Sequence, residues 1–221
     1  MLKNHPSLEG EITSALGRLP QLRQLGLYYS KLSGPIPSDL FQATNLEYIN
    51  FQDNGITGTI PSEIGLLRNL NTLVLMDNEL SGQIPFERMA FTQLKFLGLS
   101  FNNLSGSISD SIGLYSQLQY MYLDHNQMTG AIPDPLGQSG KLKSLNLGHN
   151  SFAGTIPVSL GKLGDLEYLS LQSNSISGFL PSSLANMRSL TTVNIASNEI
   201  SGVLPDISEL DWLRSLVLAQ N

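Results

Sequence analysis

Leucine recurs at a fixed interval of 24 residues along most of this chain, and the residues between successive leucines repeat with it. The repeat is clearest over residues 142–166 and follows the pattern L-x-x-L-x-L-x-x-N-x-L-x-G-x-I-P-x-x-L-G-x-L. Repeats begin at Leu22, Leu46, Leu70, Leu94, Leu118, Leu142, Leu166 and Leu190, and the last step, to Leu213, is one residue shorter. A constant period of this length is typical of a solenoid, in which each repeat packs only against its neighbours.

The unbroken register predicts a single domain over residues 1–221. Residues 1–21 match the second half of a repeat, and residues 213–221 match the first half of another. Solenoids usually close their ends with atypical, polar-faced caps, and neither end resembles one. We therefore interpret the chain as a segment of a longer array; the alternative is a short protein with frayed ends.

Each position of the repeat, numbered from its first leucine, has a predicted role. Positions 4 and 6 are apolar and positions 3, 5 and 7 vary, which indicates a short strand with one buried and one open face. Stacked strands give a parallel sheet with a continuous open surface. Asparagine at position 9 predicts a ladder of hydrogen bonds to the backbone of the turns above and below, because a lone buried amide would be costly. Glycine at position 13 suits a tight bend, and Ile-Pro at positions 15 and 16 favours an extended convex segment.

Several repeats depart from this pattern, and we expect local weakness there. Arg88 and Met89 stand where leucine and glycine are expected, and Ser109 replaces the proline. Ser139 occupies an apolar position. The one-residue deletion near Ile207 should tighten a convex loop without disturbing the strands.

Composition excludes several classes of function. The formal net charge is −6 with no run of lysine or arginine, which argues against nucleic acid as a partner. There are no cysteines, hence no disulfide framework. The chain has no apolar run long enough to span a bilayer, and the residues after Met1 lack the apolar core of a signal peptide. We expect no membrane contact by this segment itself.

The I-P-x-x-L-G signature at a 24-residue period resembles the plant-specific class of leucine-rich repeat proteins over essentially the whole chain. That class includes receptor-like kinase ectodomains, receptor-like proteins and polygalacturonase-inhibiting proteins. The resemblance implies an α/β-type repeat solenoid: a right-handed superhelix with short parallel strands on the concave face and irregular or 3-10 convex segments. It also implies an extracellular or cell-surface location and recognition of peptides, proteins or glycans on the concave side. Family members usually carry cysteine-paired caps and many glycosylation sequons, whereas this chain has one sequon, at Asn103.

Recognition is expected at positions 2, 3, 5, 7 and 8, because the other positions are committed to the core or to turns. Six of the seven tyrosines fall there, and aromatic residues are enriched at interfaces. The alternative is that these aromatics only supply strand propensity and cross-strand contacts. The predicted ligand-binding residues are Met76, Asp77, Phe96, Phe101, Tyr120, Tyr122, Asp124, His125 and His149. A secondary set consists of Tyr28, Tyr29, Tyr48, Asp53 and Tyr168.

The histidines at position 8 allow three interpretations. His125 and His149, with Asp124 beside them, could bind a metal, although a third fixed ligand is missing. They could respond to mild acid, or they could be solvated residues at a binding edge. No nucleophile motif or phosphate-binding loop occurs, so we predict no enzyme, no cofactor and no metal.

Three functional hypotheses follow. The first is a receptor-like recognition module in signalling or defence, which binds a peptide or protein ligand and possibly a co-receptor. The second is an inhibitor of a secreted cell-wall hydrolase; a basic enzyme would complement Glu47, Asp53, Asp77 and Asp124. The third is a structural segment that associates with itself through its ends.

Overall fold

The computed structural model describes residues 8–89 and 91–221; the expectation about a signal peptide after Met1 therefore lies outside the described residues. Each coil contributes one strand to each of two parallel sheets, and most coils add a short 3-10 helix. The first sheet, which we call the concave sheet, has nine strands: Gln24–Gly26, Tyr48–Asn50, Thr72–Val74, Phe96–Gly98, Tyr120–Tyr122, Ser144–Asn146, Tyr168–Ser170, Thr192–Asn194 and Ser215–Val217. The predicted leucine-rich solenoid is confirmed.

Strands of the concave sheet pair in register with the same repeat position of the next coil. Tyr120 lies opposite Phe96 on one side and Ser144 on the other. Side chains alternate between the two faces of a strand, so the central residue of each strand points into the core while its neighbours face outward. Leu145 and Leu147, at positions 4 and 6, are completely buried. The period-two pattern thus separates the core from the open face as the sequence predicts.

A second parallel sheet, which the sequence analysis did not anticipate, follows the asparagine of each repeat. Its nine strands are Glu9–Glu11, Lys31–Pro35, Gly55–Gly58, Glu79–Gln83, Asn103–Gly106, Gln127–Gly130, Ser151–Gly154, Ser175–Phe179 and Glu199–Ser201. The glycine at position 13, predicted to form a bend, lies within these strands at positive φ; Gly154, for example, has φ 80°. Glycine adopts this conformation without the steric cost of a side chain, so the strand can turn there toward the helix.

The asparagine ladder is present and is directed toward one neighbour. The Asn102 side chain is 8% exposed. Its Oδ1 accepts from the Leu80 backbone N–H at 3.0 Å, and its Nδ2 donates to the Leu75 carbonyl at 2.9 Å; both partners belong to the preceding coil. Nδ2 also contacts the carbonyls of its own turn, at Leu99 and Ser100. Each asparagine side chain therefore joins its own turn to the coil before it, while its backbone N–H donates to the coil after it.

The 3-10 helices stack on the side of the coil away from the concave sheet, and at Gly137 this stacking leaves no room for a side chain. They span Ser14–Arg18, Ser38–Gln42, Ser62–Leu66, Phe86–Arg88, Asp110–Leu114, Asp134–Gln138, Val158–Lys162 and Ser182–Asn186. Pro37, Pro61, Pro133, Pro157 and Pro181 form extended N-caps, in agreement with the predicted Ile-Pro conformation, whereas Pro85 does not. An ideal Cβ on Gly137 would lie 2.3 Å from the Ser159 carbonyl oxygen of the next coil. No helix among residues 8–89 and 91–221 is long and apolar enough to cross a bilayer.

The departures from the repeat pattern have local structural solutions except at Ser139, which is fully buried and whose hydroxyl has no hydrogen-bond partner among the described residues. The helix Phe86–Arg88 is only three residues long, and Phe86 and Met89 are buried in place of the usual leucine while Arg88 is exposed. Ser109 replaces the proline and caps its helix by accepting from the Ser111 N–H at 3.1 Å. The shortened last repeat has turns at residues 208–209 and 211–212 instead of a 3-10 helix, and the strand that follows it, Ser215–Val217, still pairs in register with Thr192–Asn194.

Candidate functional site

Three aromatic rings form a contiguous platform on the concave sheet. The Phe96 ring centroid lies 5.7 Å from that of Tyr120 and 5.4 Å from that of Tyr122, and the two tyrosine rings are 6.4 Å apart. These spacings are within the favourable range for aromatic pairs. We call these three residues the aromatic platform. All three side chains are only half-buried, so the platform presents a large surface to a ligand.

Gly98 leaves space for side chains at one edge of the platform. A Cβ at Gly98 would be 2.5 Å from the Met76 Cε and 2.9 Å from the Phe96 Cε1. Both side chains therefore occupy the space that a side chain at position 5 would fill. Met76, a predicted ligand-binding residue, forms the floor at one edge of the platform. Gly98 was not selected from the sequence, because a glycine carries no side chain that could indicate a role in binding.

Residues at position 8 form a separate ridge along one edge of the concave sheet. All have positive φ, from 52° at His149 to 60° at Gln220. This conformation projects their side chains outward, although it is uncommon for residues other than glycine and asparagine. Phe101, His125 and His149 stack face to face, with centroid distances of 4.2 and 4.1 Å. Three of the predicted binding residues are thus brought together as one column of parallel rings.

The environment of His149 disfavours its protonated form. Burial, and then the charge of His125, lower the pKa of His149, while Asp124 acts in the opposite direction. His149 Nε2 lies 3.0 Å from the Gln172 side-chain nitrogen, a contact in which a neutral ring accepts from the amide. Protonation would remove this acceptor and place a charge against the neighbouring imidazole.

Asp124 is less accessible than its position suggested. Its side chain is 8% exposed and accepts a hydrogen bond of 2.5 Å from the Ser100 hydroxyl. Position 7 was expected to face the open surface, but here Asp124 and Ser100, at the same position one coil earlier, are both buried. Asp77 is exposed and accepts from Gln52 Nε2 at 3.1 Å. Among the described residues, no group of three or more His, Cys, Asp or Glu is arranged to hold a metal ion.

The secondary residues are spread along the sheet. Tyr28 and Tyr29 form an edge-to-face pair at 5.7 Å, two coils before Met76. Tyr48 accepts from the Asn50 amide at 3.0 Å, and the neighbouring Asp53 is exposed. Tyr168 lies two strands beyond Tyr120.

The sequon at Asn103 lies on the second sheet, away from the concave sheet. Its side chain is exposed and accepts a weak contact of 3.5 Å from Gln127. A glycan at this position would project from the edge of the solenoid and leave the aromatic platform free.

A depression lies next to the platform and was not recognised in the sequence analysis. It is lined by Tyr120, Tyr122, Lys143, Ser144, Asn146, Glu167 and Tyr168. Ser144 lies between Tyr120 and Tyr168 in the pairing register, which explains the gap between the two rings. Because these three residues are 24 positions apart, the sequence already places a small serine between two tyrosines on adjacent strands, and this would have indicated the depression.

Comparisons with known proteins agree with the geometry. Leucine-rich repeat family profiles match residues 140–200 and, separately, residues 45–67, 93–114 and 117–139. Together these segments cover more than half of the chain. No curated protein sequence matches it.

Solved structures of plant proteins superimpose on nearly the whole chain. The Arabidopsis receptor kinase HAESA, in complex with the peptide hormone IDA and the co-receptor SERK1, is 34% identical with a TM-score of 0.93, over 96% of this chain and 36% of that one. The plant peptide hormone receptor RGFR1, in complex with RGF2, is 30% identical with a TM-score of 0.87, over 97% of this chain and 38% of that one. The chain thus spans less than half of either receptor structure.

A plant ice-binding protein also matches, at 26% identity and a TM-score of 0.72, over 97% of this chain and 79% of that one. The same solenoid therefore occurs in proteins with different ligands, and the function must be argued from the site. The period, the ladder, the two sheets and these matches lead to one assignment. The chain belongs to the plant-type leucine-rich repeat family.

Proposed function

We propose that this chain is a non-enzymatic recognition module that binds a peptide or protein ligand across its concave sheet. The observation that carries the proposal is the aromatic platform of Phe96, Tyr120 and Tyr122. Aromatic side chains contribute large contact areas at a small cost in conformational entropy, and they dominate the energetics of many interfaces. A contiguous aromatic cluster that stays partly accessible to solvent commonly marks an interaction site.

The surroundings of the platform favour an extended ligand. The concave sheet has nine strands and is open at both edges of its surface, so a ligand can lie across several coils. The ridge of Phe101, His125 and His149 borders the platform on one side. Polar groups on the open face supply hydrogen bonds around the apolar centre, the usual arrangement of a binding interface.

The comparisons support a function of the same general class, namely ligand recognition. HAESA and RGFR1 are described in complex with peptide hormones, and HAESA also with a co-receptor. By analogy we propose an extracellular location and a role in ligand perception for the protein to which this segment belongs. The carboxylates Asp53 and Asp77 are exposed on an open surface, without the enclosure that general acid–base chemistry prefers, which supports a non-enzymatic role.

The experiment is a selection of random extended peptides displayed on phage against the purified chain, followed by calorimetry of the selected peptides. The triple variant Phe96→Ala/Tyr120→Ala/Tyr122→Ala is expected to lose roughly 30-fold or more in affinity, since truncating interface hot spots costs about 2 kcal/mol or more. The control is Phe179→Ala, which removes an exposed aromatic side chain from the second sheet.

Circular dichroism must show that the triple variant retains the fold. Equal affinity for the wild type and a folded triple variant, or a loss of binding with Phe179→Ala alone, would contradict the proposal.

A further inference from the structure

From Phe96 to Tyr168, the third position of the repeat forms a row of rings across the concave sheet that is interrupted once, at Ser144. Phe96, Tyr120, Ser144 and Tyr168 occupy this position in four successive coils and pair strand by strand. Ser144 is 8% exposed and has the only small side chain among the four. We propose that the notch over Ser144 accepts one aromatic side chain of the ligand, a tyrosine or tryptophan, which completes the row. This inference rests on the proposed function and specifies the anchor of the ligand.

The spacing of the row fits a ring. Adjacent strands of a sheet lie ~4.8 Å apart, so Tyr120 and Tyr168 are separated by about 9.6 Å at the backbone. The one adjacent pair of rings in this part of the row, Phe96 and Tyr120, has a centroid distance of 5.7 Å. A ligand ring over Ser144 would have comparable distances to the tyrosines on both sides, within the favourable range for aromatic pairs. Tyr168 makes no ring contact with another aromatic residue in the described part of the chain.

The coil at the notch has a small side chain at position 3, and the depression extends over Ser144 and Asn146, whereas Gln172 of the next coil lies over Gly148. Positions 3, 5 and 7 of the coil at the notch carry Ser144, Asn146 and Gly148. The row has another interruption at Thr72, but there the same three positions carry threonine, valine and methionine, and Met76 reaches over the adjacent Gly98. Space for an additional ring therefore occurs at Ser144.

Polar groups at the notch favour a neutral ring with a polar edge. Asn146 Oδ1 accepts from the Gly148 N–H at 3.2 Å, which leaves its Nδ2 available as a donor. Lys143 and Glu167 lie at the rim, and neither takes part in an ion pair among the described residues. Their opposite charges cancel, so a charged ligand group gains little, whereas a phenol or indole can donate to Glu167. A phenol can also accept from Lys143 or Asn146.

The test is an NMR titration of the isotopically labelled chain with N-acetyl-tyrosinamide, with N-acetyl-leucinamide and methyl glucoside as comparison probes. We expect shift changes centred on Ser144, Asn146 and Tyr168 with a dissociation constant of about 1–10 mM, a realistic affinity for one side chain. Ser144→Phe fills the notch and is expected to weaken binding at least about tenfold, a change of ~1.4 kcal/mol. Ser144→Ala keeps the notch open and should bind within about twofold of wild type.

Two further variants control for folding and for position. Thr72→Phe adds the same ring elsewhere in the row and should leave the titration unchanged. Tyr168→Ala removes one wall and should weaken binding even if Ser144→Phe fails to fold.

The proposal is overturned if no shift change appears at 50 mM of the tyrosine probe (on the order of the weakest measurable affinity). It is overturned if N-acetyl-leucinamide or methyl glucoside binds as well as the tyrosine probe. It is overturned if a folded Ser144→Phe variant binds the tyrosine probe with wild-type affinity. It is also overturned if selected peptides lose affinity with the platform variant but not with Ser144→Phe; in that case the proposed function itself is retained.

Discussion

The close packing of successive 3-10 helices makes a quantitative prediction for Gly137→Ala. The added Cβ would lie 2.3 Å from the Ser159 carbonyl oxygen and 2.6 Å from its carbonyl carbon. Carbon and oxygen atoms that are not bonded normally stay more than ~3 Å apart, because closer contact is strongly repulsive. The clashing group is backbone, so it cannot rotate away as a side chain would. The two coils must move apart, which disturbs the leucines packed between them.

The loss of stability in Gly137→Ala can be estimated from substitutions that add atoms to other protein cores. Extra methyl groups in well-packed interiors cost typically about 1–3 kcal/mol, and a clash with rigid backbone belongs at the upper end. For a domain of this size, each kcal/mol lowers the melting temperature by about 2–4 °C. We therefore expect Gly137→Ala to unfold roughly 6–12 °C below the wild type.

Thermal unfolding followed by circular dichroism measures this shift, with Gly164→Ala as the matched control. Gly164 follows the next 3-10 helix, has no atom within 4 Å of an added Cβ, and does not have positive φ. The control should be neutral or slightly stabilising, by about 0.4–1 kcal/mol, because alanine reduces the entropy of the unfolded chain. Equal melting temperatures for the two variants would refute the close-packing argument. Ala185 stands at the position equivalent to Gly137 before residues 203–212, where no 3-10 helix follows.

Three further predictions concern polar groups. Asn102→Ala should lower the free energy of unfolding by about 3 kcal/mol in urea titrations, because four hydrogen bonds of a buried amide are lost; a change below 1 kcal/mol (on the scale of one exposed bond) would contradict a structural role. Tyr115→Phe should raise the free energy of unfolding by about 1 kcal/mol, since the buried hydroxyl has no partner among the described residues and burial raises the pKa of Tyr115. Because the pKa of His149 is lower in the folded than in the unfolded protein, the unfolded chain binds this proton more readily. The stabilising contribution is therefore complete above the unfolded pKa near 6.5 and is lost as the pH falls through the folded pKa. The melting temperature should therefore fall more between pH 7.5 and 5.5 (about one unit either side of the reference pKa) in wild type than in His149→Asn, and parallel curves would exclude this contribution.

The sequence predicted the fold well because its main determinants are periodic. Leu145 and Leu147 could be assigned to the core from alternation alone, and the asparagines to a ladder from their regular spacing. The second sheet was missed because its strands alternate around a glycine and were interpreted as a bend. Those strands form only by pairing with neighbouring coils, as between Ser151–Gly154 and Gln127–Gly130. This pairing leaves no additional signal within one repeat.

Candidate site residues were predicted less completely than the core. Position and residue type were sufficient to select Phe96, Tyr120 and Tyr122, which the structure brings into one platform. The burial of Asp124 was not predictable from its own repeat, since it involves a contact with Ser100 one coil away. The parallel stacking of His125 and His149 likewise depends on positive φ at both residues.

The sequence by itself determined the repeat length, the residues of the core and the surface on which a ligand could bind, because each of these depends on which chemical groups recur every 24 residues. The tertiary structure decided how side chains from neighbouring coils share the space between them. Gly98 leaves space that the Met76 and Phe96 side chains occupy, and Ser144 leaves a notch between Tyr120 and Tyr168. Such features arise from packing between residues 24 positions apart, so they exist only after the coils are stacked.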